Sequence, residues 1–220
     1  MKQTLFITGT DTGVGKTMLA ALLVKFLRER GVSATALKPV CSGGRDDARK
    51  IFAAMDGALP LDEINPWHFR APIAPLLAAR KENKRVKMSQ VLASARALQK
   101  RFDILLVEGA GGLLSPLGEN FNSRDLIVAL RATPIIVAQN KLGVVNHVLL
   151  TLEALPKNAR PKAKIVLMSS PKPDASAKTN AKLLAEFSNA KIFSQPWLDR
   201  KFFTAQNPQM RRTLCALAGI

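Results

Sequence analysis

The chain has 220 residues, enough for one large core, so a single domain over residues 1–220 is expected. Hydrophobic residues at 47%, aromatics at only 5% and charged residues at 22% suit an aliphatic α/β core and exclude a disordered chain. The 33 Lys and Arg against 16 Asp and Glu give a net charge of +17, an excess that attracts polyanions, but the positive residues are dispersed and the aromatic interleaving of a single-strand binder is missing.

Thr4–Thr8 is aliphatic and reads as a buried strand, entered directly from Met1-Lys2-Gln3. No signal peptide precedes it and no apolar run reaches the ~18 residues of a membrane span, so a cytoplasmic protein without membrane association is expected. Residues 17–30 place Leu19, Leu22, Leu23, Phe26 and Leu27 at helical spacing, and Gly31 stops that helix. Ser33–Lys38 reads as a short strand, with Pro39 holding Lys38 extended. Asp46–Met55 reads as a helix and Trp67-His68-Phe69 as a strand or extended segment. The basic run Arg80–Lys87 reads as a solvated connection before a helix over Met88–Lys100. Asp103–Val107 is a buried strand expected to end at Glu108, Thr133–Ala138 another, and Val144–Leu155 a helix. Lys164–Met168 reads as a strand, Ala175–Phe187 as a helix and Lys191-Ile192-Phe193 as a last strand. Strands alternating with helices imply a mainly parallel sheet flanked by helices on both faces. Ligands of such folds sit at the carboxyl ends of the strands. Cys41 and Cys215 stand far apart and are expected to be reduced thiols.

The first strand-to-helix turn, Gly9-Thr10-Asp11-Thr12-Gly13-Val14-Gly15-Lys16-Thr17, carries the strongest chemical signal. Gly13 and Gly15 let the backbone curl so that successive N–H groups form an anion nest. The following helix adds its positive end. Lys16 would reach the β- and γ-phosphates of a nucleoside triphosphate, and the Thr17 hydroxyl would ligate Mg²⁺. Gly9 lies six residues before Gly15 rather than five, so the loop is a variant one residue longer than usual. Two further strand ends matter. Lys38-Pro39-Val40-Cys41-Ser42-Gly43 offers a lysine able to neutralise a phosphoryl group or developing charge. Asp46 and Asp47 behind it read either as a helix-start charge pair or as a metal ligand. Val107-Glu108-Gly109-Ala110-Gly111-Gly112 ends a strand with a carboxylate, where phosphate-loop enzymes place an acid facing Mg²⁺. His68 and His147 are the only histidines, and both read as structural.

These three segments, with Lys141-Leu142-Gly143, Asn146-His147 and Pro196-Trp197-Leu198, fall in one order along the chain. Together they resemble dethiobiotin synthetase, a family with a phosphate-loop NTPase-like fold. The resemblance implies a homodimeric, Mg²⁺-dependent ligase of biotin biosynthesis that uses ATP, 7,8-diaminononanoate and CO₂. A substrate amine would take up CO₂ as a carbamate, ATP would phosphorylate it, and the second amine would close a cyclic urea. Carried over residue by residue, Lys16 and Lys38 would be catalytic, and Thr17, Asp47 and Glu108 would hold the metal. ATP would meet Gly13, Val14, Gly15, Lys16, Thr17, Met18, Asp47, Glu108, Gly109, Ala110, Gly111 and the adenine-lining Pro196, Trp197 and Leu198. The diamine substrate would meet Thr12 and Ser42, and its carboxylate the Gly143, Val144 and Asn146 region of a partner subunit. Asp47 is preferred to Asp46 because Asp47-Ala48 matches the family's Asp-Ala step. Ser169 stands where many members carry an Asn that reads adenine.

The alternative weighed is a partitioning-type ATPase that binds DNA or membrane through its basic surface. Those proteins need a second lysine early in the loop, where this chain has Asp11. An amidotransferase domain would need a Cys–His glutaminase module for which the chain has no room.

Overall fold

A computed structural model describes residues 2–196 and 208–220. The elements, in chain order, are β1 (Gln3–Gly9), α1 (Lys16–Arg28), β2 (Ala34–Leu37), β3 (Val40–Ser42), α2 (Asp46–Ala54), α3 (Leu61–Ile64), β4 (Trp67–Phe69), α4 (Pro75–Lys81), α5 (Met88–Arg101), β5 (Ile104–Gly112), β6 (Pro116–Gly118), β7 (Phe121–Asn122), α6 (Ser123–Ala129), β8 (Thr133–Gln139), α7 (Val144–Ala154), β9 (Lys164–Met168), α8 (Asn180–Phe187), β10 (Lys191–Gln195) and α9 (Pro208–Ala218).

Six strands form one sheet in the order β10-β9-β8-β1-β5-β2, and every pairing in it is parallel. A parallel sheet must be covered on both faces. Its central strands accordingly read as continuous apolar runs: Leu5, Phe6, Ile7, Leu106, Val107, Ile135, Ile136 and Val137 are all fully buried. β1 lies in the middle of the order, so the loop that follows it opens at the centre of the sheet's carboxyl edge. α1 packs its Leu19, Leu23, Val24 and Leu27 face inward, and Gly31, at φ +75°, turns the chain out of the helix.

Several features differ from the sequence reading, the unforeseen helices α3, α6 and α9 among them. β5 does not end at Glu108 but runs on to Gly112. Its ladder with β1 is irregular between the Ile7–Glu108 and Gly9–Gly112 pairs, so the strand bends just where the carboxylate emerges. Arg80 and Lys81 close helix α4 rather than lying in a solvated connection, and Arg80 is held by both carboxylate oxygens of Glu119 at 3.1 and 2.9 Å. The first residues of the expected Ala175–Phe187 helix form a separate 3₁₀ turn over Ala175–Lys178, capped by the Asp174 carboxylate accepting from the Ser176 N–H. Two short pairings also appear, one of them on the Trp67–Phe69 segment expected to be strand or extended. β3 pairs with β4 in parallel, Ser42 opposite Phe69, and β6 pairs with β7 as a small antiparallel ribbon.

Candidate active site

The loop between β1 and α1 is shaped by its glycines. Gly15 precedes the helix at φ +102° and Gly13 sits at φ +74°, a region that residues with a Cβ avoid. A Cβ on Gly9 would fall 2.8 Å from Val14 Cγ2 and 2.9 Å from the Asp11 carbonyl oxygen. The longer loop therefore closes over its own first glycine. Val14 is buried behind the loop in the core. Lys16 is buried at 6% exposure, and its ammonium donates to the Asp11 carbonyl oxygen at 2.7 Å. Burial, and then the neighbouring charge of Lys38, lower its pKa to about 8.

Lys38 follows β2 and is almost completely buried. Its backbone is fixed from both sides. The Lys38 N–H donates to the Ile64 carbonyl, and the Asn65 side-chain amide donates to the Lys38 carbonyl at 2.8 Å. Asn65 is itself fully buried, so this link does not compete with water. The Lys38 ammonium donates to Glu108 Oε1 at 2.5 Å and to the Gly109 carbonyl at 3.2 Å, and lies 3.4 Å from Asp47 Oδ2. Burial alone would lower its pKa. The opposing charges, Glu108 foremost, outweigh burial and hold the group above the ordinary lysine value.

Thr17 Oγ1 donates to the same Glu108 oxygen at 2.7 Å. Glu108 is 1% exposed, and its other oxygen, Oε2, is buried with no partner among the described residues. Of the two aspartates opening α2, Asp47 reaches Lys38, while Asp46 pairs with Arg49 on the surface at 3.1 Å.

A cavity of about 730 Å³ opens on this cluster. Thr12, Gly13, Gly15, Lys16, Thr17, Met18, Lys38, Ser42, Asp47, Ala110 and Gly111 line it. Glu108 and Gly109 join it through their bonds to Thr17 and Lys38. Gly143, Val144, Asn146 and Pro196 are not among its lining residues, and Trp197 and Leu198 lie outside the described residues. Sequence reasoning missed the Pro72–Pro75 wall, Ser115 and Cys41, all of which line the cavity. The two prolines bracketing Ile73 and Ala74 were the available signal, since they stiffen a loop. Burial pushes the Cys41 thiol up to about 11, which keeps it protonated and unreactive.

The donor set suits a small, hard cation. A hydroxyl, a carboxylate with an unpartnered oxygen and a second carboxylate half-exposed at the rim are the groups that Mg²⁺ takes, with waters and phosphate oxygens completing its shell. Among the described residues, no cluster of three or more His, Cys, Asp or Glu could cage a metal without such help.

An AAA domain family model matches residues 3–199. The solved structure of hydrogenase maturation factor HypB from Archaeoglobus fulgidus superposes with a TM-score of 0.55 over 99% of this chain and 89% of that one, at 15% identity, a likeness of fold. Both findings agree with the loop geometry, and the chain belongs to the P-loop nucleoside-triphosphatase class. Within that class, ATP-dependent dethiobiotin synthetase BioD of Anaeromyxobacter dehalogenans is 43% identical over 88% of this chain and 89% of its own. The protein of that name from Akkermansia muciniphila is 39% identical over 86% and 89%. The one from Methanocaldococcus jannaschii is 37% identical over 69% and 72%. The chain belongs to the dethiobiotin synthetase family.

Proposed function

We propose that this chain is an ATP-dependent dethiobiotin synthetase, a ligase of biotin biosynthesis that closes the ureido ring of dethiobiotin from 7,8-diaminononanoate and CO₂. The observation that carries the reading is the convergence of Lys16, Lys38 and Glu108 from three strand ends on one cavity that also holds Ser42. The chemistry needs an anion nest for the triphosphate beside a second cation for the carbamate. It also needs a cavity long enough for an aliphatic diamine.

In this reading one amine of the diamine attacks CO₂ and loses a proton, giving a carbamate seated near Ser42 and Lys38. The loop N–H groups and Lys16 hold the polyphosphate with its γ-phosphorus facing a carbamate oxygen, so that positioning and charge neutralisation supply the catalysis. That oxygen bonds to phosphorus, the bond to the bridging oxygen of ADP breaks, and a carbamic–phosphoric anhydride results. The second amine then attacks the carbonyl carbon and loses a proton to solvent, the carbon–oxygen bond to the phosphate breaks with inorganic phosphate leaving, and the ring closes. Lys38 stays charged throughout because its carboxylate neighbours hold it so. Thr17, Asp47 and Glu108 would hold Mg²⁺, which would neutralise charge on the β- and γ-phosphates.

The reading takes residues 1–220 as one domain working in the cytoplasm as a homodimer. Among the described residues, no helix is long and apolar enough to cross a membrane. Dimerisation is supported by Leu142 and Leu150, 80% and 61% exposed at and along α7. It also gives Gly143, Val144 and Asn146 a role although they miss this cavity. They would serve the partner's cavity, offering backbone N–H groups at the start of α7 to the substrate carboxylate. The Val144 N–H is already bonded to the Lys141 carbonyl at 3.1 Å. The N–H groups of Val145 and Asn146 lie in the first turn, which a helix cannot satisfy by itself.

The decisive experiment incubates the purified protein with 7,8-diaminononanoate, bicarbonate, ATP and Mg²⁺ and looks for dethiobiotin by mass spectrometry. Product with stoichiometric ADP is expected. No product from a protein that binds ATP normally would overturn the reading.

A further inference from the structure

The sheet order leaves one flank of the phosphate loop unexplained. β5 and β2, on one side of β1, carry Glu108 and Lys38, the groups that meet the terminal phosphate in the proposed reaction. A triphosphate laid along the loop from that side directs its nucleoside toward β8, β9 and β10. The ladders set one cross-strand row there: Gln139 pairs with Met168, and Met168 with Gln195. Paired residues of a ladder point to the same face of a sheet. The face is identified by Met168, whose side chain lies 3.1 Å from where a Cβ of Gly15 would stand. Gln195 therefore projects on the face that carries the phosphate loop.

Gln195 is also anomalous. It is 2% exposed, and among the described residues neither its amide nitrogen nor its amide oxygen has a hydrogen-bond partner. The neighbouring buried amides are not in that condition. Asn140 donates to the Ala177 carbonyl at 2.9 Å, and Asn180 donates to the Asn140 side-chain oxygen at 2.9 Å. The Gln195 backbone carbonyl is engaged as well, accepting from the Ser169 N–H at 2.9 Å. Its side chain alone is left over. A buried amide with both atoms unpaired is destabilising, and a leucine would fill the same space without that cost. The group is intelligible if something else pairs with it.

We propose that the Gln195 side-chain amide reads the base of the nucleotide, its oxygen accepting from the adenine 6-amino group and its nitrogen donating to an adjacent ring nitrogen. A carboxamide is complementary to that donor–acceptor pair. Met168, unbranched and able to change rotamer, is the member of the row that swings aside for a purine. The assignment rests on the reading of the chain as an ATP-using enzyme and deepens it by naming what selects the base.

The test compares ATP with purine riboside triphosphate, which lacks only the 6-amino group, by calorimetric titration of wild type, Gln195→Leu and Gln195→Met, with the melting temperature of each free protein. Wild type is expected to prefer ATP by about tenfold or more, since a site built to bond a group rejects the analogue without it. The variants are expected to bind the two nucleotides within about threefold of each other while melting no lower than wild type, because each removes an orphaned amide. Wild-type preference retained in the variants, or no preference in wild type, would overturn the assignment. Failure of wild type to bind either nucleotide would overturn the ATP reading itself, and the assignment with it.

Discussion

Replacing Lys38 by Met is the most demanding test of how the site is held together. Methionine keeps much of the aliphatic stem and opens little cavity, so the loss is electrostatic. The Lys38 and Glu108 side chains are 3% and 1% exposed. Without the ammonium, the buried carboxylate keeps only the Thr17 hydroxyl, its Oε2 being unpartnered already. Breaking a buried pair from one side costs about 3–5 kcal/mol, because a charge is left uncompensated. Glu108→Gln should be milder, about 1–2 kcal/mol, because Lys38 retains Asp47 at 3.4 Å and the Gly109 carbonyl at 3.2 Å. The double variant Lys38→Met/Glu108→Gln contains no orphaned charge and should be more stable than Lys38→Met alone, in the manner of other neutralised buried pairs. Urea unfolding with a common m-value measures all four proteins. A Lys38→Met loss under about 1 kcal/mol, or a double variant no better than the single one, would refute the claim that the pair is a mutually dependent buried unit.

Four other outcomes are expected. Because Lys16 is lowered to about 8 by burial and by Lys38, kcat/KM for ATP should fall as pH rises through about 8. The same lowering means that charged Lys16 destabilises the fold fully below pH 8. Lys16→Met should therefore abolish turnover yet stabilise at pH 7, by at most about 3 kcal/mol, with the gain fading between pH 8 and 10.5 in pH-dependent melts. Gly109→Ala puts a Cβ 2.5 Å from Ser123 Oγ and 3.2 Å from Phe6 Cε1, an overpacking cost of about 1–3 kcal/mol. Adding Ser123→Ala, which removes a buried hydroxyl without a partner, should restore most of it in thermal unfolding. If α7 forms a dimer face, Leu150→Glu should shift the sedimentation coefficient from dimer to monomer and depress activity. A monomeric wild type would remove that face from the account.

Most of the sheet was legible because its strands are fully buried and read as uninterrupted aliphatic runs. Thr133–Gln139 and Lys164–Met168 sit where the sequence put them, within a residue. The phosphate loop was legible because only glycine tolerates its backbone. The extension of β5 past Glu108 was not, since a Gly-Ala-Gly-Gly run signals a turn, and Gly112 is held in the strand by its pairing with Gly9 of β1. β3 is three residues long, too short for any alternation to show. The Lys38–Glu108–Thr17 arrangement could be guessed from strand ends, but its closeness is a product of register: Leu37 pairs with Val107, which brings the next residue of each strand to the same height. Gln195 was invisible, because one glutamine ending a strand reads as an exposed polar residue until its burial is known.

The two lysines of the site differ in a way that assigns them different work. Lys38 has its charge secured by carboxylates that belong to the protein, so it is cationic whether or not anything is bound. Lys16 has no such guarantee. Its hydrogen bond goes to a neutral carbonyl, its pKa is drawn down to about 8, and a polyphosphate is the partner that would raise it again. The charge on Lys16 is therefore coupled to occupancy of the loop, and near pH 8 triphosphate binding should take up protons, a quantity readable by calorimetry in buffers of different ionisation enthalpy. Lys38 contributes a constant field at the point where the carbamate and γ-phosphate would meet. Loss of Lys38 should accordingly lower kcat more than it weakens ATP binding, whereas loss of Lys16 should damage both.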